Sequence, residues 1–252
     1  MPCYHPRPAF QNTVTRQVRF SLDHYGADLI GILQGIWKPI SLPCGQCIGC
    51  RLERSRQWAV RCVLEASMHK ENCFVTLTYN DDNLPPDLSL DKRAFQLFMK
   101  RLRKRVKVPI RFFACGEYGE KLQRPHYHVI LFGIDLRKEN QSWRPDADAF
   151  PRFCSLLSSM PQSSLFAGRS IVLSSTLLSE LWPYGFSSVG ICTFESAAYV
   201  ARYCLKKVTG KAGKAFYEGR TPPFVLMSNR PGIAKPWYDK YCADVYPRDA
   251  VF

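Results

Sequence analysis

The sequence predicts an α+β fold in which helices pack on a central antiparallel sheet. Three observations carry this expectation. Strand-like and amphipathic helical stretches alternate along the chain, as β-α-β-β-(insertion)-α-β-α. The second and third of these strands are joined by only Lys121-Leu122-Gln123-Arg124, too short for a parallel crossover. The chain is also long enough for a sizeable core, at 252 residues with 46% apolar content.

Residues 1–43 show weak periodicity and several turn formers, and are expected to be irregular with one hairpin. A helix is expected over 51–70, where Trp58, Cys62, Leu64 and Ala66 are apolar and Arg51, Arg54, Arg56 and Arg61 are cationic. Cys73 to Tyr79 alternates as a strand and stops at the turn Asn80-Asp81-Asp82-Asn83-Leu84-Pro85-Pro86. Asp91 caps a helix over 92–106, with Phe95, Phe98, Met99 and Leu102 on its buried face. Residues 110–115 form the next strand, followed by Gly116-Glu117-Tyr118-Gly119-Glu120. Residues 125–132 form another, and Pro125 at its start costs no ladder bond. Residues 135–175 scatter Trp, Pro and Ser without a period and read as a partly mobile insertion. A short helix over 175–182, a strand over 185–194 and a helix over 195–208 ending at Gly210 follow. The tail is basic, rich in Pro and aromatics, and shows little regular pattern. The expected division is therefore an N-terminal Cys-rich segment and helix (1–72), a core (73–210) and a basic tail (211–252).

Charge is the dominant global property: 35 Lys+Arg against 21 Asp+Glu, a formal net of +14. Such an excess draws polyanions, nucleic acid first. It is densest in Lys100-Arg101-Leu102-Arg103-Lys104-Arg105, at the end of the helix capped by Asp91. A charged helix face is often merely solvated. Like charges this close repel, however, so Lys100, Arg101, Arg103, Lys104 and Arg105 are expected to meet a phosphate backbone. No run of eighteen apolar residues and no apolar N-terminal segment is present, so a cytoplasmic protein with no membrane partner is expected.

Two clusters have the composition of metal sites. Cys44-Gly45-Gln46-Cys47-Ile48-Gly49-Cys50 places three thiols where they can wrap a tetrahedral cation, with Cys3 as fourth ligand and His5 as a second option. Eleven cysteines without a signal peptide point to free thiols and metal ligation rather than disulfides. Structural Zn²⁺ fits the spacing; the usual iron–sulfur spacings differ from it. The second cluster is His126-Tyr127-His128, two of only five histidines, set two apart so that both imidazoles leave one face of the strand. Two imidazoles on a half-buried sheet face can equally be plain packing. A hard divalent ion would also require an oxygen ligand, which Glu117 supplies one hairpin away, with Glu120 as the alternative.

Downstream, Tyr199, Tyr203 and Lys206 fall within roughly 60° of one another at helical spacing. Ala198, Ala201, Leu205 and Val208 fill the opposing, core-facing side. Two large aromatics sharing a face with a lysine is an odd use of tyrosine if packing were its only role. A tyrosine hydroxyl is a poor nucleophile near its free pKa of about 10, and a nearby cation helps it attack phosphorus.

At these residues the chain resembles a family. Phe74 to Tyr79, His126-Tyr127-His128 with Glu117, and Tyr203-Cys204-Leu205-Lys206 match, in order, the motifs of the HUH endonucleases that initiate rolling-circle replication. The likeness is greater still to the replication initiators of gokushovirus-type microviruses, through Cys44 to Arg51, Gly116 to Glu120 and Phe194 to Tyr203. It runs from Cys3 to about Pro247, interrupted at 135–175. The resemblance implies an HUH-like sheet of about five strands and a metal-dependent nickase. It implies Mg²⁺ or Mn²⁺ on His126, His128 and Glu117, and attack on single-stranded phage origin DNA by Tyr199 or Tyr203, giving a 5′-phosphotyrosine link. A second tyrosine then permits strand transfer and rejoining, and Lys206, or Lys207 in its place, orients the phosphate.

It further implies work in the cytoplasm of an infected bacterium, with a host polymerase extending the free 3′-OH. Gly210-Lys211-Ala212-Gly213-Lys214 does not match a phosphate-binding loop, so a host helicase is implied as well. The competing class is a non-catalytic zinc-bearing DNA-binding protein, which explains the charge and the cysteines but leaves the histidine strand and tyrosine face without a role. A different phosphodiesterase built on paired histidines would not require two tyrosines.

Overall fold

The computed structural model describes residues 3–22, 26–119, 122–137, 176–206, 213 and 215–245. The chain divides into two compact units, Met1–Arg56 and Gln57–Phe252, the division falling inside one long helix.

In the first unit β1 (Arg7–Asn12) lies between β2 (Val18–Arg19) and β3 (Trp37–Leu42), antiparallel to both, and α1 (Gly26–Leu33) connects the outer two. The expectation of an irregular segment with one hairpin is corrected: it is a three-stranded sheet with a helix. The pattern was hidden because Arg7 pairs with Leu42 across the whole segment, and Pro39 interrupts the strand signal of β3. Proline is tolerated there because β3 is an edge strand. Then α2 (Ile48–Ser67) begins three residues before its expected start, so that Cys50 lies in its first turn.

The second unit is built on a five-stranded antiparallel sheet in the order β7-β4-β6-β5-β8. These are β4 (Asn72–Thr78), β5 (Arg111–Tyr118), β6 (Pro125–Phe132), β7 (Ser187–Ile191) and β8 (Phe224–Met227). The expected α+β architecture is present, with two corrections. Strand β5 runs on to Tyr118, taking Glu117 into the sheet. The tail is not patternless: β8 adds the fifth strand by pairing Phe224 to Met227 with Gly116 to Phe113, and a further helix, Lys235–Val245, follows. Four apolar residues without alternation, paired with a strand about a hundred positions earlier, leave little periodic trace.

Helices cover both faces. On one, α3 (Lys92–Val106) and α4 (Thr176–Leu181) bury Phe95, Phe98, Met99, Leu102, Leu178 and Leu181 against Val75, Leu77, Tyr127, Val129 and Leu131. On the other, the end of α2 and α5 (Phe194–Lys206) bury Cys62, Ala197 and Val200 against Phe113, Cys115, Ile130 and Phe132. Fully burying one such Leu or Phe contributes about 1.5–3 kcal/mol, and the two layers leave the sheet no free face there.

Because a strand alternates, Tyr127 points away from its two histidine neighbours into the α3 layer. Its hydroxyl donates to Asp91 O and accepts from Asp91 N, both at 2.9 Å, so the strand that carries the histidines also anchors the helix start. Asp91 in turn accepts from Arg93 N at 2.7 Å as the expected cap.

Candidate metal centre and tyrosine helix

The register of the β5–β6 pair places Glu117 directly opposite His126 and Cys115 opposite His128. Direct cross-strand partners have Cβ atoms about 4.5–5.5 Å apart, so the carboxylate and both imidazoles share one patch of sheet. Glu117 Oε1 lies 2.6 Å from His126 Nε2 and 3.1 Å from His128 Nε2. The three ligand atoms fall within 4.8 Å of one another. The alternative carboxylate, Glu120, lies outside the described residues.

Three features of this patch fit a cation. The Oε2 atom of Glu117 is buried without a hydrogen-bond partner, in a residue only 4% exposed. An orphaned carboxylate oxygen in that setting is costly unless a positive charge reaches it. His126 faces acceptors on both sides: Nδ1 is 3.1 Å from Arg124 O, and Nε2 faces Glu117. Donation from Nδ1–H to the carbonyl leaves the Nε2 lone pair aimed at a carboxylate, an arrangement stable only with a proton or metal ion between them. His128 is different, because its Nδ1 lies 3.0 Å from the Thr76 hydroxyl, which can accept as well as donate. Burial pushes the Glu117 carboxyl up, but the hydrogen bonds and charges of His126 and His128 outweigh it and hold it below its ordinary value of 4.5.

Tyr199 stands over this patch. Its ring packs edge-on to His128 with centroids 5.2 Å apart, Phe74 stacks on His128 at 5.6 Å, and Phe74 meets Tyr199 edge-on at 6.3 Å, so the three rings form one cluster. Helix α5 reaches this position from a cap at Thr193, whose Oγ1 accepts from Ser196 N while Ser196 Oγ accepts from Thr193 N. The core stripe of α5 is Ala197, Val200 and Ala201, with Ala198 only half-buried; the helix is rotated from the expected stripe by about one position. That rotation leaves Tyr199 43% exposed at the edge of the patch. Tyr203 and Lys206 continue the same helix, Tyr203 about 6 Å further along the axis. Lys207, Val208 and the expected helix end at Gly210 lie outside the described residues, as does most of the expected insertion, 138–175.

The second cluster assembles in the N-terminal unit. Cys44 and Cys50 sulfurs are 3.9 Å apart, those of Cys47 and Cys3 are 3.8 Å apart, and all four fall within 4.8 Å. A tetrahedron of about 2.3 Å zinc–sulfur bonds has edges of about 3.8 Å, so the spacing suits that ion. Backbone N–H groups of Tyr4, Cys44, Cys47 and Cys50 point at the sulfurs at 3.2–3.5 Å. Those of Cys50 and Tyr4 draw the Cys47 thiol down to about 6. His5 has no part in the cluster.

The basic run of α3 sits on the sheet layer opposite the histidines. Arg101 is engaged by the protein itself, donating to Leu181 O and the Tyr184 hydroxyl, and Arg103 lies over the Phe112 ring. Lys100, Lys104 and Arg105 are exposed. No helix among the described residues is long and apolar enough to cross a membrane. Sequence reasoning missed Thr76 and Phe74. The available signal was the half-buried alternation of Phe74, Thr76 and Thr78, which share the histidine face of the sheet, with Thr76 and Thr78 opposite His128 and His126 in register.

Known proteins bear on this arrangement. The family described as replication-associated protein ORF2/G2P matches residues 72–208, the segment holding β4, the histidine strand and α5. The chain is 33% identical over 220 residues to the replication-associated protein VP4 of Bdellovibrio phage phiMH2K, covering 84% of this chain and 62% of that one. It is 32% identical over 229 residues to the replication-associated protein ORF2 of Spiroplasma virus 4, covering 84% and 61%. It is 34% identical over 188 residues to the replication-associated protein ORF4 of Chlamydia phage 1, covering 71% and 42%. The chain thus spans about three fifths of the length of the first two relatives. No solved structure matches it. These phage relatives agree with the likeness to gokushovirus-type initiators. With its match spanning more than half of its length, the chain belongs to the replication-associated protein ORF2/G2P family.

Proposed function

We propose that this protein initiates rolling-circle replication by cutting single-stranded origin DNA with a tyrosine and later rejoining the strand. The observation that carries the reading is the seating of Tyr199 against His128, beside a carboxylate whose second oxygen has no partner. Glu117, His126 and His128 would hold a divalent cation such as Mg²⁺ or Mn²⁺, which supplies positive charge to polarise the scissile phosphate. Arg124 O and the Thr76 hydroxyl fix the two imidazoles so that both Nε2 atoms face the ion position.

The Tyr199 oxygen attacks phosphorus and the bond from phosphorus to the 3′-oxygen breaks. The departing oxygen takes up a proton and becomes a 3′-hydroxyl, while the tyrosine's proton passes to solvent. Exchanging one phosphodiester for another conserves the bond energy, so a 3′-hydroxyl attacking the phosphotyrosine reverses the step and joins a strand. Tyr203 is the second nucleophile, one helical turn on, and Lys206 or Lys207 offsets phosphate charge. A host polymerase extends the 3′-hydroxyl, and a host helicase opens the duplex. The exposed Lys100, Lys104 and Arg105 hold DNA away from the cut through non-specific phosphate contacts. The four cysteines hold a structural Zn²⁺.

The test is to incubate the protein with Mn²⁺ and labelled single-stranded oligonucleotides tiling the cognate genome, then look for a covalent protein–DNA adduct. An adduct lost when both Tyr199 and Tyr203 become Phe is the expected result. DNA binding without any adduct overturns the nickase reading, and an adduct that survives the double change overturns the nucleophile assignment.

A further inference from the structure

Beside the metal patch, a cavity of about 500 Å³ opens between the turn after β4 and the start of β6, with His126 in its wall. Its other working groups are Asn80, Asp81, Asp82, Arg124 and Phe186. The size lies within the range of pockets that take small ligands.

The lining says which part of a nucleotide fits. Arg124, the only Lys or Arg among the described lining residues, is engaged within the wall: Nη1 donates to Asp81 Oδ1 at 2.6 Å and Nη2 to Tyr79 O at 3.1 Å. Asp82 lies exposed beside it with no ion pair among the described residues. A surface with this acidic balance repels phosphate, whereas it accepts hydrogen bonds from the amino group of a base.

Phe186 also lines the cavity and is 71% exposed, so its ring is available to a ligand. Its backbone is fixed, because its carbonyl accepts from Thr78 N at 2.8 Å and Thr78 Oγ1 at 3.2 Å. Gly185 permits this, since at φ +157 an added Cβ would lie 2.3 Å from Asn80 N. A solvent-facing ring carried on a fixed backbone beside a slot is a platform for base stacking.

We propose that this cavity is a specificity subsite that takes the base flanking the scissile phosphate, stacked on Phe186 with an exocyclic amino group donating to Asp82. The proposal rests on the single-strand-cutting reading above and adds its sequence preference. Cytosine and thymine share one pyrimidine ring size, thymine adding a C5 methyl, and differ at the position that matters: cytosine offers an amino donor where thymine offers a carbonyl acceptor, which Asp82 rejects.

The test measures binding of oligo-dC and oligo-dT of equal length to the full chain with chelator present, so that no cutting intervenes. Wild type is expected to prefer oligo-dC by at least about fivefold. Phe186→Ala is expected to weaken oligo-dC binding about 5- to 100-fold, and Phe186→Trp to restore it. Asp82→Asn abolishes the dC/dT preference while the thermal midpoint stays unchanged. Equal binding of oligo-dC and oligo-dT by wild type, or unchanged binding by Phe186→Ala, overturns the subsite. Failure of the two readings is distinguishable. The full pattern without any covalent adduct sinks the nickase and leaves the subsite standing; an adduct with unaltered Phe186→Ala binding does the reverse.

Discussion

Replacing Thr76 by Val tests whether the histidine strand is built for a metal or for packing. Thr76 sits in the middle of β4, paired with His128 on one side and Ser188 on the other, so a β-branched Val suits the backbone. What is lost is the hydroxyl 3.0 Å from His128 Nδ1. The His128 side chain is only 6% exposed, so water has little access to replace that partner. To bind a cation through Nε2 the ring must carry its proton on Nδ1 and donate it to Thr76. Leaving that N–H unpaired in a buried ring costs about 1–3 kcal/mol, which falls on the metal-bound state. At about 1.4 kcal/mol per factor of ten, Thr76→Val is expected to bind Mn²⁺ about 5- to 100-fold more weakly, and Thr76→Ser to bind near wild type. Titration calorimetry or the loss of the free-Mn²⁺ paramagnetic signal reads the affinity directly, without DNA. Unchanged Mn²⁺ affinity in Thr76→Val would refute the positioning argument, and wild type that binds no Mn²⁺ at all would refute the metal centre.

Two further outcomes follow from the titrating groups. In the chelated protein Cys47, drawn down to about 6, should alkylate fastest of the four clustered thiols, its rate rising through that pH. Cys50, pushed up to about 12 by burial, should react last, and added Zn²⁺ should protect all four; mass-spectrometric mapping that shows no protection would count against the zinc site. Glu117 has its folded pKa below the ordinary 4.5, so its ionised form contributes stability above that pH and loses it as pH falls further. With chelator present, urea midpoints of wild type and Glu117→Gln should therefore differ near pH 6 and converge well below 4.5; a gap that widens on acidification contradicts the assigned sign.

Much of the arrangement is legible in the chain because its signals are local. Asp91 followed by a periodic apolar stripe is enough for α3 and its cap, since the cap bond spans only two residues. His126 and His128 share a face because any strand alternates, and the cysteine spacing Cys44-x-x-Cys47-x-x-Cys50 is met by one turn running into α2. The sequence alone therefore determined which candidate ligands and candidate nucleophiles were available.

Tertiary structure decided which of them meet. Glu117 stands opposite His126 because the hairpin register fixes it, and a single-residue slip would have turned the carboxylate to the other face. Thr76 reaches His128 across 52 positions, and β8 joins the sheet about a hundred positions after β5; neither leaves a periodic mark. The rotation of α5 that brings Tyr199 onto His128 was set by Ala197 and Val200 fitting the sheet, where the helical wheel favoured Ala198. Long-range packing selects among faces that local propensity leaves nearly equal in energy. That selection turns the histidine strand into one wall of the candidate site.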